Sequence, residues 1–228
     1  MLHRISLLAL IVVVACGGTP RTGDAPLPEG EGSRPTSAGT SAGDSTATSA
    51  AMTFFVTSTG NGEQGGNLGG ISGADEKCQS LATGVGAGDR TWHAYLSTDN
   101  PQVHARDRIG TGPWSNQAGK LVAADLASLH RGVAGALLLT ESGQVVPSDP
   151  LDHDILTGST ADGRLMAGKT CSDWTDSTDA SGGQVGHADI AASSLGDESW
   201  NSQHDPQCSQ AALKSTAGSG RIYCFAID

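Results

Sequence analysis

The chain has 228 residues, with 24 acidic against 13 basic side chains and a formal net charge of −11. That balance repels phosphates and anionic headgroups, and it excludes nucleic acid as a partner. Aromatic residues make up 4% and there are 32 glycines, which predicts a loop-rich domain with a modest core that gains from covalent staples.

The chain opens with Met-Leu-His-Arg, an apolar run from Ile5 to Val14 and the box Val13-Val14-Ala15-Cys16-Gly17. An apolar stretch of roughly ten residues falls short of the roughly 20 that a spanning helix needs. Residues 1–15 therefore read as a lipoprotein-type signal peptide, with Cys16 as the lipidated first residue of the mature chain. The competing reading is an ordinary signal cut near Ala15 that leaves Cys16 a spare thiol. Removing Cys16 from the five cysteines leaves four, the even number that a closed disulfide set in an exported chain requires. Residues 16–52 are Thr, Ser, Gly, Ala and Pro with almost no large apolar side chain. Such a segment buries too little surface to offset the entropy of ordering it, and it reads as a disordered tether. Residues 53–228 form one domain.

Along that domain, Thr53-Phe54-Phe55-Val56-Thr57 reads as a strand running into a Gly/Asn turn. Ser72-Gly73-Ala74-Asp75 fits an Asp variant of the capping box, and Ala74, Cys78, Leu81 and Ala82 follow at helical spacing, which turns Cys78 toward the core. Trp92, Ala94 and Leu96 alternate with His93, Tyr95 and Ser97 as in a strand with one buried face. A second helix is expected over 122–129, and Leu137-Leu138-Leu139 reads as a buried strand. Beyond Pro147 the pattern predicts irregular loops until a closing strand, Arg221 to Ile227.

The ordered set "GGISGADEKCQSLATGVGAGDRTWHAYLST", "ARDRIG", "TGSTADGR", "TCSDWTD" and "CSQ" with "RIYCFAI" resembles the endostatin-like branch of the C-type-lectin-like fold. Bacterial members of that branch occur as exported surface lipoproteins, the leptospiral endostatin-like proteins among them. The resemblance spans nearly the whole domain. It implies an α+β, C-type-lectin-like domain with two short helices, antiparallel strands, a long loop region and two disulfides, Cys78–Cys224 and Cys171–Cys208. Without it, four cysteines allow three connectivities and the sequence chooses none of them. A zinc site built from these cysteines is disfavoured, because no Cys-x-x-Cys pair exists and the compartment is oxidising.

The resemblance also raises a calcium-dependent sugar site, which in lectins of this fold uses Glu-Pro-Asn or Gln-Pro-Asp and a later Trp-Asn-Asp. Here the nearest stretch is Trp200-Asn201-Ser202, with Asp205 following. Ser replaces the final carboxylate. Trp200, Asn201 and Asp205 are the candidate ligand-binding residues, and Trp200 is expected to pack beside the Cys171–Cys208 bridge. Asp149, Asp152, His153 and Asp154 read as a solvated acidic loop, and Asp173, Asp176 and Asp179 as turn and cap residues. His153, His187 and His204 fall in the loop region, but no spacing sets two of the seven histidines on one helix face. No metal site is assigned, no cofactor is expected, and calcium is the one ion left open. The zinc histidines of endostatin sit at the start of its domain; this domain has none before His93 and inherits no such site. Arg106, Arg108, Arg131 and Arg164 form no heparin-type cluster, and Arg106-Asp107-Arg108 is expected to make a structural ion pair.

No Gly-x-Ser-x-Gly elbow is present in the domain 53–228 and its cysteines are claimed by disulfides, so no catalytic residues are assigned and the chain is not expected to be an enzyme. The expectation is a bacterial envelope lipoprotein, held in the membrane by its lipid alone and placed in the outer membrane. Its loop face, 147–207, would take an extracellular protein or glycan, a role that the resemblance supports with matrix and complement-regulator ligands. The alternatives are a calcium-dependent glycan lectin and an envelope protein with only a structural role.

Overall fold

A computed structural model divides the chain into two units, Met1–Ser45 and Thr46–Asp228. It describes residues 51–189 and 199–228, all within the second unit. The expected signal peptide 1–15, the expected lipidation site Cys16 and nearly all of the expected tether 16–52 lie outside the described residues.

The fold is α+β, built on the last strand. In order it comprises β1 (Phe54–Val56), α1 (Gly70–Gly84), β2 (Trp92–Ala94), β3 (Trp114–Ser115), β4 (Leu121–Ala123), α2 (Leu126–Arg131), β5 (Asp154–Leu156), β6 (Val185–His187), α3 (Gln210–Ser215) and β7 (Gly218–Ala226). β1 and β2 both run antiparallel to β7 and both pair with its residues 224 and 225, so they occupy its two opposite edges. β5 runs parallel to β7, and β6 pairs antiparallel with β5. β3 and β4 form a separate two-stranded ribbon.

Side chains alternate across a strand, so the sheet divides the core in two. Phe54, Val56, Ile155, Tyr223 and Phe225 face one side with Tyr95, Trp114, Leu129 and Trp200. Phe55, Leu156, Ile222, Cys224 and Ala226 face the other with Trp92, Trp174 and the Ala74, Cys78 and Ala82 stripe of α1. Burial on both faces explains the unbroken apolar run Ile222-Tyr223-Cys224-Phe225-Ala226, which a half-exposed strand would interrupt with polar residues.

Composition predicts a modest core, and here the structure corrects it. The chain contains four Trp, two Tyr and three Phe, and all nine are at most 1% exposed. Removing one of these large rings typically costs about 3–5 kcal/mol. Few aromatics do not make a weak interior when every one is spent inside it.

Cys78 pairs with Cys224, tying α1 to β7, and Cys171 pairs with Cys208. These are the pairs that the resemblance implies. They close separations of 146 and 37 residues. In the chain-entropy account such loops are worth about 5 and about 4 kcal/mol, less in sum because one lies inside the other.

Several local expectations change. α1 begins at Gly70, behind a left-handed Gly69, and Ser72 to Asp75 form no capping box. The Asp75 carboxylate instead accepts the Ala94 N–H and pairs with Arg108 at 2.6 Å, binding the helix to β2. The helix expected over 122–129 is split. Leu121–Ala123 pairs with β3, and α2 starts only after Asp125, whose side chain accepts Ser128 N–H in a reciprocal capping box. Leu137-Leu138-Leu139 is not a strand: Leu137 and Leu138 N–H groups close tight turns onto Ala134 and Gly135 carbonyls. The stretch beyond Pro147 is not only loop, since it supplies β5, β6 and α3. Among the described residues the expected two short helices become three right-handed ones, of which α1 has 15 residues.

Gly186 in β6 shows how closely the loop region packs on the sheet. A Cβ there would collide with the Trp200 carbonyl, so only glycine lets the segment around Trp200 lie against β6. Among the described residues no helix is long and apolar enough to cross a membrane.

Candidate functional site

The loop region starts from an unusual backbone. Cys171, Ser172, Asp173 and Trp174 carry φ values of 47°, 52°, 56° and 65°, one turn of left-handed helix built without glycine. Each such residue costs roughly 1–2 kcal/mol relative to the right-handed form, so the turn persists only where its surroundings over-determine it. Cys171 is fixed by its disulfide. The Trp174 indole N–H donates to the Ser97 carbonyl at 2.8 Å. Thr170 Oγ1 accepts the Asp173 N–H, and the Asp173 carboxylate accepts the backbone N–H groups of Asp99 and Asn100. Asp176 takes the Ser181 hydroxyl and the Thr178 N–H, and Asp179 takes the Ser209 hydroxyl. All three aspartates serve turns and caps.

Beside this turn lies an open, mostly polar groove of about 570 Å³, bordered by Lys169, Asp179, Ser181, Asp205 and Gln207. Lys169 and Asp205 form an ion pair across it, with both side chains partly exposed.

The other two candidate ligand residues are elsewhere. Trp200 is not beside the Cys171–Cys208 bridge; it packs on the opposite side of the sheet against Tyr95 and Tyr223, and its indole N–H donates to the Leu129 carbonyl. Asn201 is fully buried and donates its amide to the Tyr95 hydroxyl at 2.9 Å and the Thr160 carbonyl at 3.1 Å. Neither offers an atom to an outside ligand. The three candidates therefore do not form one site, and only Asp205 reaches a groove.

Tyr95 and Asn201 belong to a buried polar chain. His130 Nδ1 lies 2.7 Å from the Leu126 carbonyl, which requires the proton on Nδ1; Nε2 is then the acceptor of the Tyr95 hydroxyl at 2.8 Å. Burial is the main force lowering the His130 pKa, and it likewise pushes the Tyr95 hydroxyl far above its ordinary value.

Three of the four arginines weighed for a heparin-type cluster are engaged within the structure. Arg108 pairs with Asp75 and Arg164 with Asp162, while Arg106 donates to the Asp162 carbonyl. The expected ion pair is thus Arg108 with Asp75 of α1.

The acidic stretch 149–154 is not a uniformly solvated loop. Asp152 accepts from Arg221 Nε at 2.7 Å and the Ser219 hydroxyl at 2.9 Å. Asp154 opens β5 with its side chain wholly buried, and neither carboxylate oxygen has a hydrogen-bond partner. Three imidazoles surround it. The Nε2 atoms of His187, His204 and His153 lie 3.2, 3.3 and 3.4 Å from Asp154 Oδ1, and His187 Nε2 lies 3.2 Å from His204 Nε2. Strand register makes this meeting: Asp154 sits opposite His187 in the β5–β6 pair, and His204 bridges to Val185 two residues before His187. The sequence places these histidines in one region without assigning them a common site. The missing information is register, since 33 residues separate Asp154 from His187 and nothing in the pattern fixes their alignment.

In a comparison with curated proteins, none matches the chain. A family model described as a protein of unknown function, DUF1554, matches residues 61–191. That span holds α1, the left-handed turn and the β5–β6 pair, with one partner of each disulfide. With more than half of its length matched, the chain belongs to the DUF1554 family.

Proposed function

We propose that this chain is an exported, lipid-anchored envelope lipoprotein whose domain is a non-catalytic binding module of the endostatin-like, C-type-lectin-like kind. Its ligand, an extracellular protein or glycan, is taken on the loop face. The observation that carries this reading is the polar groove between Lys169 and Asp205, built beside a strained turn and the Cys171–Cys208 bridge. Rigid loops on a packed scaffold are where binding residues concentrate, and a braced loop loses less entropy when it meets a partner. The lipid anchor rests on the signal at 1–15 and Cys16, and two disulfides suit an oxidising compartment.

A calcium-dependent lectin is the weaker reading. Calcium takes six to eight oxygens from accessible carboxylates and carbonyls, whereas Trp200 and Asn201 are buried and Asp205 is held by Lys169.

The test is binding of the mature domain to a glycan array, with and without chelator, and to a panel of immobilised extracellular-matrix proteins. A Lys169→Ala/Asp205→Ala variant is compared alongside, because loss of an exposed pair costs only about 0–1 kcal/mol of stability. Saturable binding of the wild type, insensitive to chelator and weakened at least about tenfold in the variant, a change of about 1.4 kcal/mol, is the expected outcome. Equal binding by both proteins places the ligand elsewhere, and the absence of any saturable ligand refutes the module.

A further inference from the structure

We infer that His153, Asp154, His187 and His204 hold one divalent transition-metal ion of the zinc class in a closed, four-ligand site. This stands apart from the ligand reading above, since it concerns what fixes the loop region and not what that region meets.

The first argument is spacing. Metal–ligand bonds of about 2.0–2.1 Å in a tetrahedron set the ligand atoms about 3.3–3.4 Å apart. Four of the six separations among these groups are 3.2, 3.2, 3.3 and 3.4 Å; the ligand atoms of His153, Asp154 and His187 all lie within 4.8 Å of one another, and His204, which meets Asp154 and His187 but stands outside that mutual set, completes it by a turn of its exposed ring toward His153.

The second is the buried carboxylate. Asp154 is wholly enclosed and neither oxygen is hydrogen-bonded, although three ring nitrogens surround it. An unpaired buried anion is strongly unfavourable. A cation at the centre of the four groups supplies the charge and the bonds that the protein does not.

The third is ligand chemistry. Three imidazoles and one carboxylate suit zinc and its neighbours; calcium requires more oxygens than the single carboxylate provides. His153 also has an outer partner. Its Nδ1 lies 2.8 Å from Asp189 Oδ1, which places the proton on Nδ1 and leaves the Nε2 lone pair toward Asp154. Metal-binding histidines are oriented in this way by a carboxylate behind the ring.

With four protein ligands the site leaves no position for substrate, as in structural rather than catalytic zinc centres. It joins β5, β6 and the segment carrying His204, and so adds a third cross-link to the two disulfides.

The experiment is calorimetric titration of zinc chloride, and separately of calcium chloride, into the disulfide-intact mature domain after dialysis against chelator, with thermal melts of the same samples. One zinc per chain with a raised melting temperature, and no response to calcium, is expected. Asp154→Asn tests the buried ligand but endangers folding, so His204→Ala, whose side chain is 38% exposed, carries the decision. Chelated His204→Ala should melt with chelated wild type, yet lose zinc binding and its thermal shift. Asp189→Ala should bind zinc about 10- to 100-fold more weakly. No stoichiometric zinc in the wild type, or unchanged affinity in His204→Ala, overturns the site and leaves the imidazoles as metal-free neighbours of Asp154.

Discussion

His130 shows how one residue ties pH to stability. Its lowered pKa means that the folded protein prefers the neutral ring, chiefly because burial penalises the charged form. A base whose folded pKa is depressed contributes stability that is present above the ordinary value of 6.5 and is lost as pH falls below it toward the folded value. Protonating Nε2 also removes the acceptor of the Tyr95 hydroxyl. The melting temperature of the wild type should therefore fall from pH 7 to pH 5 more steeply than that of His130→Gln; identical slopes would show that His130 does not report this burial. Tyr95→Phe strands both the His130 acceptor and one donor of the Asn201 amide. It should cost about 1–3 kcal/mol in urea unfolding, and a smaller loss would mean that these groups find other partners. The network was only partly legible in the sequence. The alternation puts Tyr95 on the polar side of a half-buried strand, but Tyr95, Leu96 and Ser97 are all buried because chain packs on both faces of the sheet.

At the scale of elements, the left-handed turn Cys171–Trp174 carries a backbone penalty that its neighbours offset. Ser172 is exposed with φ of 52°, and its side chain makes no hydrogen bond that the turn needs. Glycine enters this region without the steric penalty. Ser172→Gly should raise stability by about 1 kcal/mol, and the β-branched Ser172→Val should lower it by a similar amount. Chemical unfolding of the three proteins checks the order; a Val variant as stable as the Gly variant would mean that the turn is not left-handed in solution. Elements with strong apolar periodicity, such as the Ala74, Cys78, Ala82 stripe of α1 and the run in β7, were legible in the sequence. Those decided by tertiary contact were not. Leu121-Val122-Ala123 pairs with β3 rather than joining a helix, and "TCSDWTD" contains no glycine to signal positive φ. Asp125 with Ser128 is a capping signal present in the sequence, and it marks a helix start that the apolar pattern from Val122 obscures.

For the whole molecule, the nine buried aromatics hold a sheet closed on both faces, and the loop region is added to it by covalent and metal-type cross-links. Sequence composition gave the acidic surface and the need for staples. It underestimated the interior because it counted aromatic residues without knowing that none is left outside. The candidate centre was hidden for a related reason: its four ligands come from three separate segments, joined only by strand register and by the bridge of His204 to Val185. This division of labour makes a direct prediction for hydrogen exchange. In a Cys171→Ala/Cys208→Ala variant treated with chelator, amides of 168–183 and 203–208 should exchange at least about tenfold faster than in the zinc-loaded wild type, while those of β1, β2 and β7 stay protected. Unchanged exchange in those two segments, or equal loss of protection in the sheet, would contradict a stable aromatic scaffold that carries a separately braced loop region.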